Sequence, residues 1–575
     1  MLTTPWGERL DAGSILPEYP RPQLRRKSYL NLNGQWEYAI TAGGTPPERF
    51  DGDILVPFSP ESALSGVNRT LLPGQTLWYR RELSLPAGFA PEGGRVLLHF
   101  GAVDQEAVVF LNGEEVARHV GGYTPFTADL TGRLHDRNAL VVRVHDDTDA
   151  SFHSRGKQKL KRGGIWYTPQ SGIWQTVWLE AVPSPFISGL RIVPHVDTAE
   201  VELTVECARN LPCEAVLCGQ AHALIANAPS RLPVPNPRLW CPEDPYLYDF
   251  SVSLGQDRVD SYFGMRSISV EKDESGVPRL FLNGRPYFQN GLLDQGYWPD
   301  GLYTAPSDEA LRFDIQTAKD LGYNMLRKHI KVEPLRWYYH CDRLGMLVWQ
   351  DMVCGGGPYR FSTISLPLVT GIHRRDHDYR RFARERAEGR REYLEELEET
   401  VRALRNAPSI VLWVPFNEGW GQFDSAAVCE RLMGLDPSRV IDHASGWHDQ
   451  GIGPLQSLHV YFRPYRFRPD RRGRAVVLSE FGGYHLHEEG HCLSETGFGY
   501  KRLPDRDALW QAYRRLFERQ ILPAVPRGLC ATVYTQLTDV EDELNGILTY
   551  DRRATKLPGR ELQELNQRVT AAESR

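Results

Sequence analysis

Two short segments constrain this chain more than any other feature: Val414-Pro415-Phe416-Asn417-Glu418-Gly419-Trp420 and Val477-Leu478-Ser479-Glu480-Phe481-Gly482-Gly483. Each sets a Glu close behind an apolar, β-branched run, Ile410 to Val414 in the first case and Ala475 to Leu478 in the second. Continuous runs of this kind read as strands covered on both faces. An eight-stranded (β/α) barrel provides such strands and turns the residues at their C-terminal ends toward one shared site. Glu418 and Glu480 can therefore converge although they lie far apart in sequence. Paired carboxylates suit hydrolysis of a glycosidic bond, one protonating the leaving oxygen while the other meets the charge developing at the sugar carbon. The competing reading is that each Glu ends its strand in a loop salt bridge; two of them, each with Gly and an aromatic residue close by, weigh against it.

The sequence after Arg266 supports a barrel, because strand-like and helix-like stretches alternate there. Eight strands are expected near 287–293, 322–327, 346–350, 410–416, 438–443, 456–461, 475–480 and 529–536. Helical patterns run from Ser307 to Leu321, Glu333 to Leu344, Tyr379 to Arg405, Asp424 to Met433 and Asp505 to Leu522. The stretch from His373 to Arg405 is dense in Arg and Glu, and reads as a solvated helix laced by i,i+4 pairs in preference to an interaction helix. On this count Glu418 follows the fourth strand and Glu480 the seventh. Upstream, short alternating segments such as Ala139 to Val144, broken by Gly, Pro and Asn, read as a β-sandwich, with a hairpin turn at Asn112-Gly113. A second β-region from about 185 to 270 has the length of a small immunoglobulin-like sandwich.

Composition narrows the partners. With 67 basic and 73 acidic residues the net charge is −6, which gives no electrostatic case for nucleic acid or an anionic membrane. A small neutral or weakly charged ligand is expected, and the 14 Trp and 25 Tyr permit stacking on sugar rings without diagnosing it. Nine Cys without CxxC spacing fit reduced thiols. The N-terminus has no apolar signal-like stretch and no run of 18 apolar residues occurs, so a soluble, cytoplasmic protein is expected.

The ordered motifs resemble glycoside hydrolase family 2, the group of β-galactosidases, β-mannosidases and β-glucuronidases. Leu30-Asn31-Leu32-Asn33-Gly34-Gln35-Trp36, Trp78-Tyr79-Arg80-Arg81 and Gly172 to Glu180 are similar to the family's sugar-binding jelly roll. Pro237-Arg238-Leu239-Trp240 and Phe263-Gly264-Met265-Arg266 are similar to the end of its immunoglobulin-like domain. Asn417-Glu418 matches the acid/base pair and Ser479-Glu480-Phe481-Gly482 the nucleophile segment. The resemblance implies a multidomain β and α/β fold: an N-terminal jelly-roll β-sandwich over 1–183, an immunoglobulin-like β-sandwich over 184–270, and a C-terminal (β/α)8 TIM barrel over 271–575.

It also implies a retaining exo-glycosidase acting on carbohydrate without a cofactor, with self-assembly left open. Glu480 would be the nucleophile and Glu418 the acid/base, its pKa raised by the charge of Glu480. Asn417 would bind the sugar 2-hydroxyl, Arg327 would hold the nucleophile ionised, and Tyr461 would lie beside it, although Tyr461 suits core packing equally. Where the family carries Ser-His-Tyr-Pro after its strand-two Arg, this chain reads Arg327-Lys328-His329-Ile330-Lys331, so either His329 or Lys331 could face the site. Asp294, Gln295, Asp351 and Trp447 are further candidates at strand ends for the sugar subsite. The Asn-Lys pair with which glucuronidases grip the sugar carboxylate has no Lys counterpart at Asn545-Gly546-Ile547. β-Galactoside leads among the sugars, with β-mannoside, arabinopyranoside and uronide open. Two rivals remain: a metal-dependent hydrolase using the His485-Leu486-His487-Glu488-Glu489-Gly490-His491 loop, and a carbohydrate-binding protein without catalysis.

Overall fold

A computed structural model describes residues 2–574. The first domain stacks a six-stranded antiparallel sheet on a four-stranded one. The larger sheet contains Gln75–Leu83 and Asn138–His145, and the smaller contains Arg95–Phe100 and Val177–Val182. Alternation decides which face is covered: Leu140, Val142 and Val144 point inward from Asn138–His145, and join Leu77, Leu98 and Leu179 in one core. The Asn112-Gly113 turn joins Glu106–Leu111 to Glu114–Val120 with both residues at positive φ, 52° and 88°, as a type I′ hairpin requires. The second domain packs a three-stranded sheet against a four-stranded sheet around Ile192, Val205, Ala215 and Val252.

The third domain is the barrel. Its strands are β1 (Gln289–Asp294), β2 (Met325–Lys328), β3 (Leu347–Asp351), β4 (Ile410–Val414), β5 (Val440–Ile441), β6 (Leu455–Val460), β7 (Ala475–Gly482) and β8 (Leu529–Thr535). They pair in parallel in the order β5-β4-β3-β2-β1-β8-β7-β6. Among the described residues no ladder joins β5 to β6, so the sheet is a barrel with one unpaired seam. Every residue of β3, β4, β7 and β8 is buried, which is why these segments are dominated by apolar residues along their length rather than alternating. The expected helices form as α1 (Asp308–Asp320), α2 (Leu335–Leu344), α3 (Ala387–Leu404), α4 (Ser425–Leu435) and α5 (Arg506–Leu516). Ser307 and Asp505 cap α1 and α5 by accepting from the amides of Ala310 and Ala508.

One expectation needs correction. The charged helix does not start at Tyr379 but at Ala387. Ala383 stands at φ 60°, outside the helical range, and the buried Arg384 guanidinium donates to the carbonyls of Gly421 and Gly389 at 2.9 and 3.1 Å. Tertiary hydrogen bonds thus override helix propensity over 379–386.

A loop of the first domain, residues 152–168, reaches over the C-terminal mouth of the barrel. The amide of Arg155 donates to Cys354 O at 2.9 Å, and that of Thr168 to the Glu541 carboxylate at 2.9 Å. At Gly355 a Cβ would run into the carbonyl of His153, so only glycine allows this approach. No helix among the described residues is long and apolar enough to cross a membrane.

Candidate active site

Glu418 lies in the loop after β4, and its left-handed backbone (φ 50°) is a strained conformation for a non-glycine residue. Its amide is held by Ser445 O at 2.9 Å, which locks the turn that aims the side chain inward. Glu480 lies within β7. Carboxylate oxygens of Glu418 and Glu480 and a ring nitrogen of His459 lie within 4.8 Å of one another. That spacing matches the roughly 5 Å that direct attack by one carboxylate demands, and is too short for a water to work between them.

Arg327, at the third position of β2 and fully buried, organises the acidic side. Its Nε and Nη2 donate to the two oxygens of Asp351 at 3.0 and 2.9 Å, and Nη1 donates to Glu480 Oε1 at 3.1 Å. Nη2 also donates to Asn417 Oδ1 at 2.9 Å, which orients that amide so that its Nδ2, buried and without a partner in the protein, faces away from the arginine. Tyr461, directly after β6, donates to Glu480 Oε2 and stacks on Tyr500 with ring centroids 3.7 Å apart.

The two glutamates are driven apart electrostatically. Burial raises both, but the Glu418 pKa is pushed well above the carboxylate range by burial and then by the charge of Glu480. At Glu480 burial is opposed by the Arg327 guanidinium and by the Tyr461 hydroxyl. Glu480 therefore ionises first while Glu418 keeps its proton. Asp351, shielded from water, is raised to about 7 even with Arg327 beside it.

His459 sits between the carboxylates. Its Nδ1 is 2.8 Å from Glu418 Oε1 and 3.6 Å from Glu480 Oε2, and its Nε2 is 2.9 Å from Ser445 Oγ. Ser445 Oγ donates to Ser479 Oγ at 3.0 Å, so toward the imidazole it accepts. This places the histidine proton on Nε2 and leaves Nδ1 as an acceptor for the acid proton of Glu418. Burial pushes His459 and His329 well below the usual imidazole range, so both are neutral.

The remaining sequence candidates separate into two groups. Gln295 and His329 line the site: Gln295 Oε1 is 2.9 Å from His329 Nδ1, and His329 Nε2, unpartnered, is 3.6 Å from Glu480. Trp447 packs edge-on against His459 at 5.5 Å with its buried indole N–H unpartnered. Asp294, one position before Gln295, is turned the other way, accepting from Lys328 Nζ at 2.7 Å and from the amide of Gly296 at 2.9 Å. Lys331 is likewise not at the site: it donates to Glu333 at 2.9 Å and to the carbonyls of Gly296 and Tyr303. In the His485 to His491 loop the ligand-type side chains diverge, with His491 on Asp551 at 2.7 Å and Glu488 on Arg506.

Sequence reading missed His459, Tyr500, Lys157 and Glu543. His459 had a signal, since it shares a strand face with Ser457 and Tyr461 by alternation. Lys157 had none: it comes from the 152–168 loop of another domain, and donates to Glu543 Oε2 at 3.4 Å.

Comparison with known proteins follows the same architecture. Family models described as "Glycosyl hydrolases family 2, sugar binding domain", "Glycosyl hydrolases family 2" and "Glycosyl hydrolases family 2, TIM barrel domain" match residues 66–183, 195–266 and 279–471. A β-galactosidase of Thermoanaerobacter pseudethanolicus is 26% identical over 60% of this chain and 45% of its own. Human β-glucuronidase is 24% identical over 64% of this chain and 59% of its own. The chain thus spans about half the length of these curated relatives. A solved β-D-glucuronidase of Dictyoglomus thermophilum, 17% identical, superposes with a TM-score of 0.74 over 96% of this chain and 98% of that one, a likeness of fold.

Proposed function

We propose, from the premise that this chain belongs to glycoside hydrolase family 2, that it releases terminal sugars from β-glycosides by a double displacement with retention. The observation that carries this reading is the pair of buried carboxylates with oxygens within 4.8 Å, one beside Arg327 and Tyr461 and the other against a neutral histidine. The ionised Glu480 attacks the anomeric carbon. The bond to the aglycone oxygen breaks, and that oxygen takes the proton of Glu418. Once Glu480 is esterified its charge is gone, and Glu418, no longer facing an anion, becomes the base that takes a proton from water as water attacks the same carbon; the ester bond to Glu480 breaks and its carboxylate is restored. Asn417 Nδ2 is placed to bind the 2-hydroxyl, a contact that tightens as the oxocarbenium character grows. The 152–168 loop, which covers one end of the mouth, favours a terminal sugar over an internal one.

The finer reading is a β-galactoside-like glycone, a sugar consistent with the name of one relative, while the name of another points to a uronide. The test is an aryl α- and β-glycoside panel with Glu480→Gln as control, and NMR of the first-formed sugar. Release from one β-glycoside by the wild type alone, with the β anomer appearing first, is the expected result. An α anomer first, or equal release by Glu480→Gln, would refute the mechanism.

A further inference from the structure

We propose that Lys157 and Glu543, an ion pair made between the first domain and the loop after β8, hold two neighbouring hydroxyls of the glycone and select an uncharged sugar over a uronate. This rests on the glycosidase reading and concerns the end of the same pocket farther from the reacting bond. The pair is buried, with the Lys157 side chain 5% and the Glu543 side chain 1% exposed. Lys157 Nζ donates to Tyr167 Oη at 3.2 Å and to Glu543 Oε2 at 3.4 Å; Tyr167 donates to the same Oε2, and Asn545 Nδ2 donates to Oε1 at 3.0 Å. An ammonium has three N–H groups and a carboxylate about four acceptor positions. One donor on Lys157 and one acceptor position on Glu543 Oε1 are therefore left unused on the same ion pair, the complement of two vicinal hydroxyls of which one accepts and the other donates.

The pair is wired to the reacting end. Asn545 Oδ1 accepts from Gln536 at 2.8 Å, Gln536 Oε1 accepts from Gln295 at 2.8 Å, and Gln295 meets His329, which lies 3.6 Å from Glu480. The charges of Lys157 and Glu543 are both felt at Glu418 and at Glu480, which places the pair within electrostatic reach of the chemistry.

The charges argue against a uronate. Arg327 is committed to Asp351 and Glu480, Lys328 to Asp294 and Glu333, Lys331 to Glu333, Lys556 to Asp539, and Arg162 to Asp542. Each of these cations already faces a carboxylate. A uronate bound here would compete with Glu543 for the Lys157 ammonium and set its own charge against that carboxylate in a water-poor pocket, where like charges repel most strongly.

The test uses the full chain on matched 4-nitrophenyl β-galactoside and β-galacturonide, on the gluco pair, and on 3- and 4-deoxy galactosides, with thermal melting of every variant. The wild type is expected to favour neutral sugars in kcat/KM. Lys157→Met should lower kcat/KM on the neutral sugar by about 10- to 100-fold, the range of a hydrogen bond to a charged group. It should also abolish the penalty that the wild type shows for one of the deoxy sugars. Glu543→Gln, an isosteric change, should raise the uronide-to-neutral ratio. A wild-type preference for uronides would overturn the proposal, as would a Lys157→Met enzyme that melts like the wild type and keeps both its kcat/KM and its deoxy penalty. Activity with either of these results removes only this inference; silence of the wild type on the whole panel removes the glycosidase reading with it.

Discussion

Asn417 offers the sharpest test, because its two ends do different things. Oδ1 accepts from Arg327 at 2.9 Å, whereas Nδ2 is buried and unpartnered. In Asn417→Ala the bond to a charged donor is lost, at a cost of about 1.5–3 kcal/mol, but so is an unsatisfied buried amide, which itself costs about 1–3 kcal/mol. The two offset each other, so the melting temperature should stay within a few degrees of wild type; for a three-domain chain that comparison is more meaningful than a two-state free energy. Activity should respond very differently. Loss of one preorganised donor that acts on the transition state lowers kcat by about 100- to 1,000-fold, or roughly 2.7–4 kcal/mol. The assay is a double cycle: wild type and Asn417→Ala, each on a glycoside and on its 2-deoxy analogue. The intrinsic reactivity of the deoxy sugar cancels, because both enzymes meet the same compound. If Nδ2 binds the 2-hydroxyl, the variant should be nearly indifferent to its removal and the coupling should reach a few kcal/mol. Additive losses, with coupling below about 0.5 kcal/mol, would refute the assignment.

Arg327→Met should lower the melting temperature clearly, since stripping one partner from a buried ion cluster costs about 3–5 kcal/mol, and it should also abolish turnover. The pH profile of kcat/KM should fall on its alkaline side: Glu418 works protonated, burial and the charge of Glu480 raise its pKa, and activity is lost as pH rises through that value. Glu418→Gln should slow glycosides with poor leaving groups far more than 2,4-dinitrophenyl glycosides, which need no acid, and should show no alkaline limb in its residual activity on the former, while azide should restore the second step; an unchanged limb would assign it to another group. His459→Gln should move the alkaline limb to lower pH, because the Nδ1 acceptor that favours the protonated acid is lost, whereas a purely structural defect would lower activity without moving it. Incubation with EDTA should leave melting temperature and activity unchanged, since His491 and Glu488 are bound to Asp551 and Arg506 rather than to each other.

The sequence is most informative where one physical cause dominates. Strands such as β4 and β7 are covered on both faces, so each opens on a continuous apolar run, Ile410 to Val414 and Ala475 to Leu478, and the glutamates that come after those runs stand out. Asp294 and Gln295 show where this stops. They are adjacent and both polar at the end of β1, yet Asp294 turns to Lys328 behind the barrel wall and Gln295 turns to His329 at the site. Which one faces inward depends on how the chain leaves the strand, at Gly296 with φ 67°, and not on residue type. Between His329 and Lys331 the sequence does not decide; Glu333, accepting from Lys331 and from Lys328, draws both lysines away from the site and leaves His329 facing it. The start of α3 was misplaced for a related reason: the hydrogen bonds of Arg384 are made to residues that local pattern does not connect to it.

The 152–168 loop carries this point into the architecture. Ser154 to Gly156 bond to the strand-three loop at Cys354 and Gly355, while Arg162, Lys157 and Thr168 engage Asp542, Glu543 and Glu541 after β8. Three consecutive carboxylates of the barrel thus take cations or a backbone N–H from the first domain. A barrel folded alone would carry those charges uncompensated beside Glu418 and Glu480, and repulsion there would raise the proton affinity of the nucleophile that Arg327 keeps ionised. The first domain is therefore part of the electrostatics of the active site, and this explains why the charge of Lys157, more than a hundred residues before the barrel begins, is felt at Glu418 and Glu480.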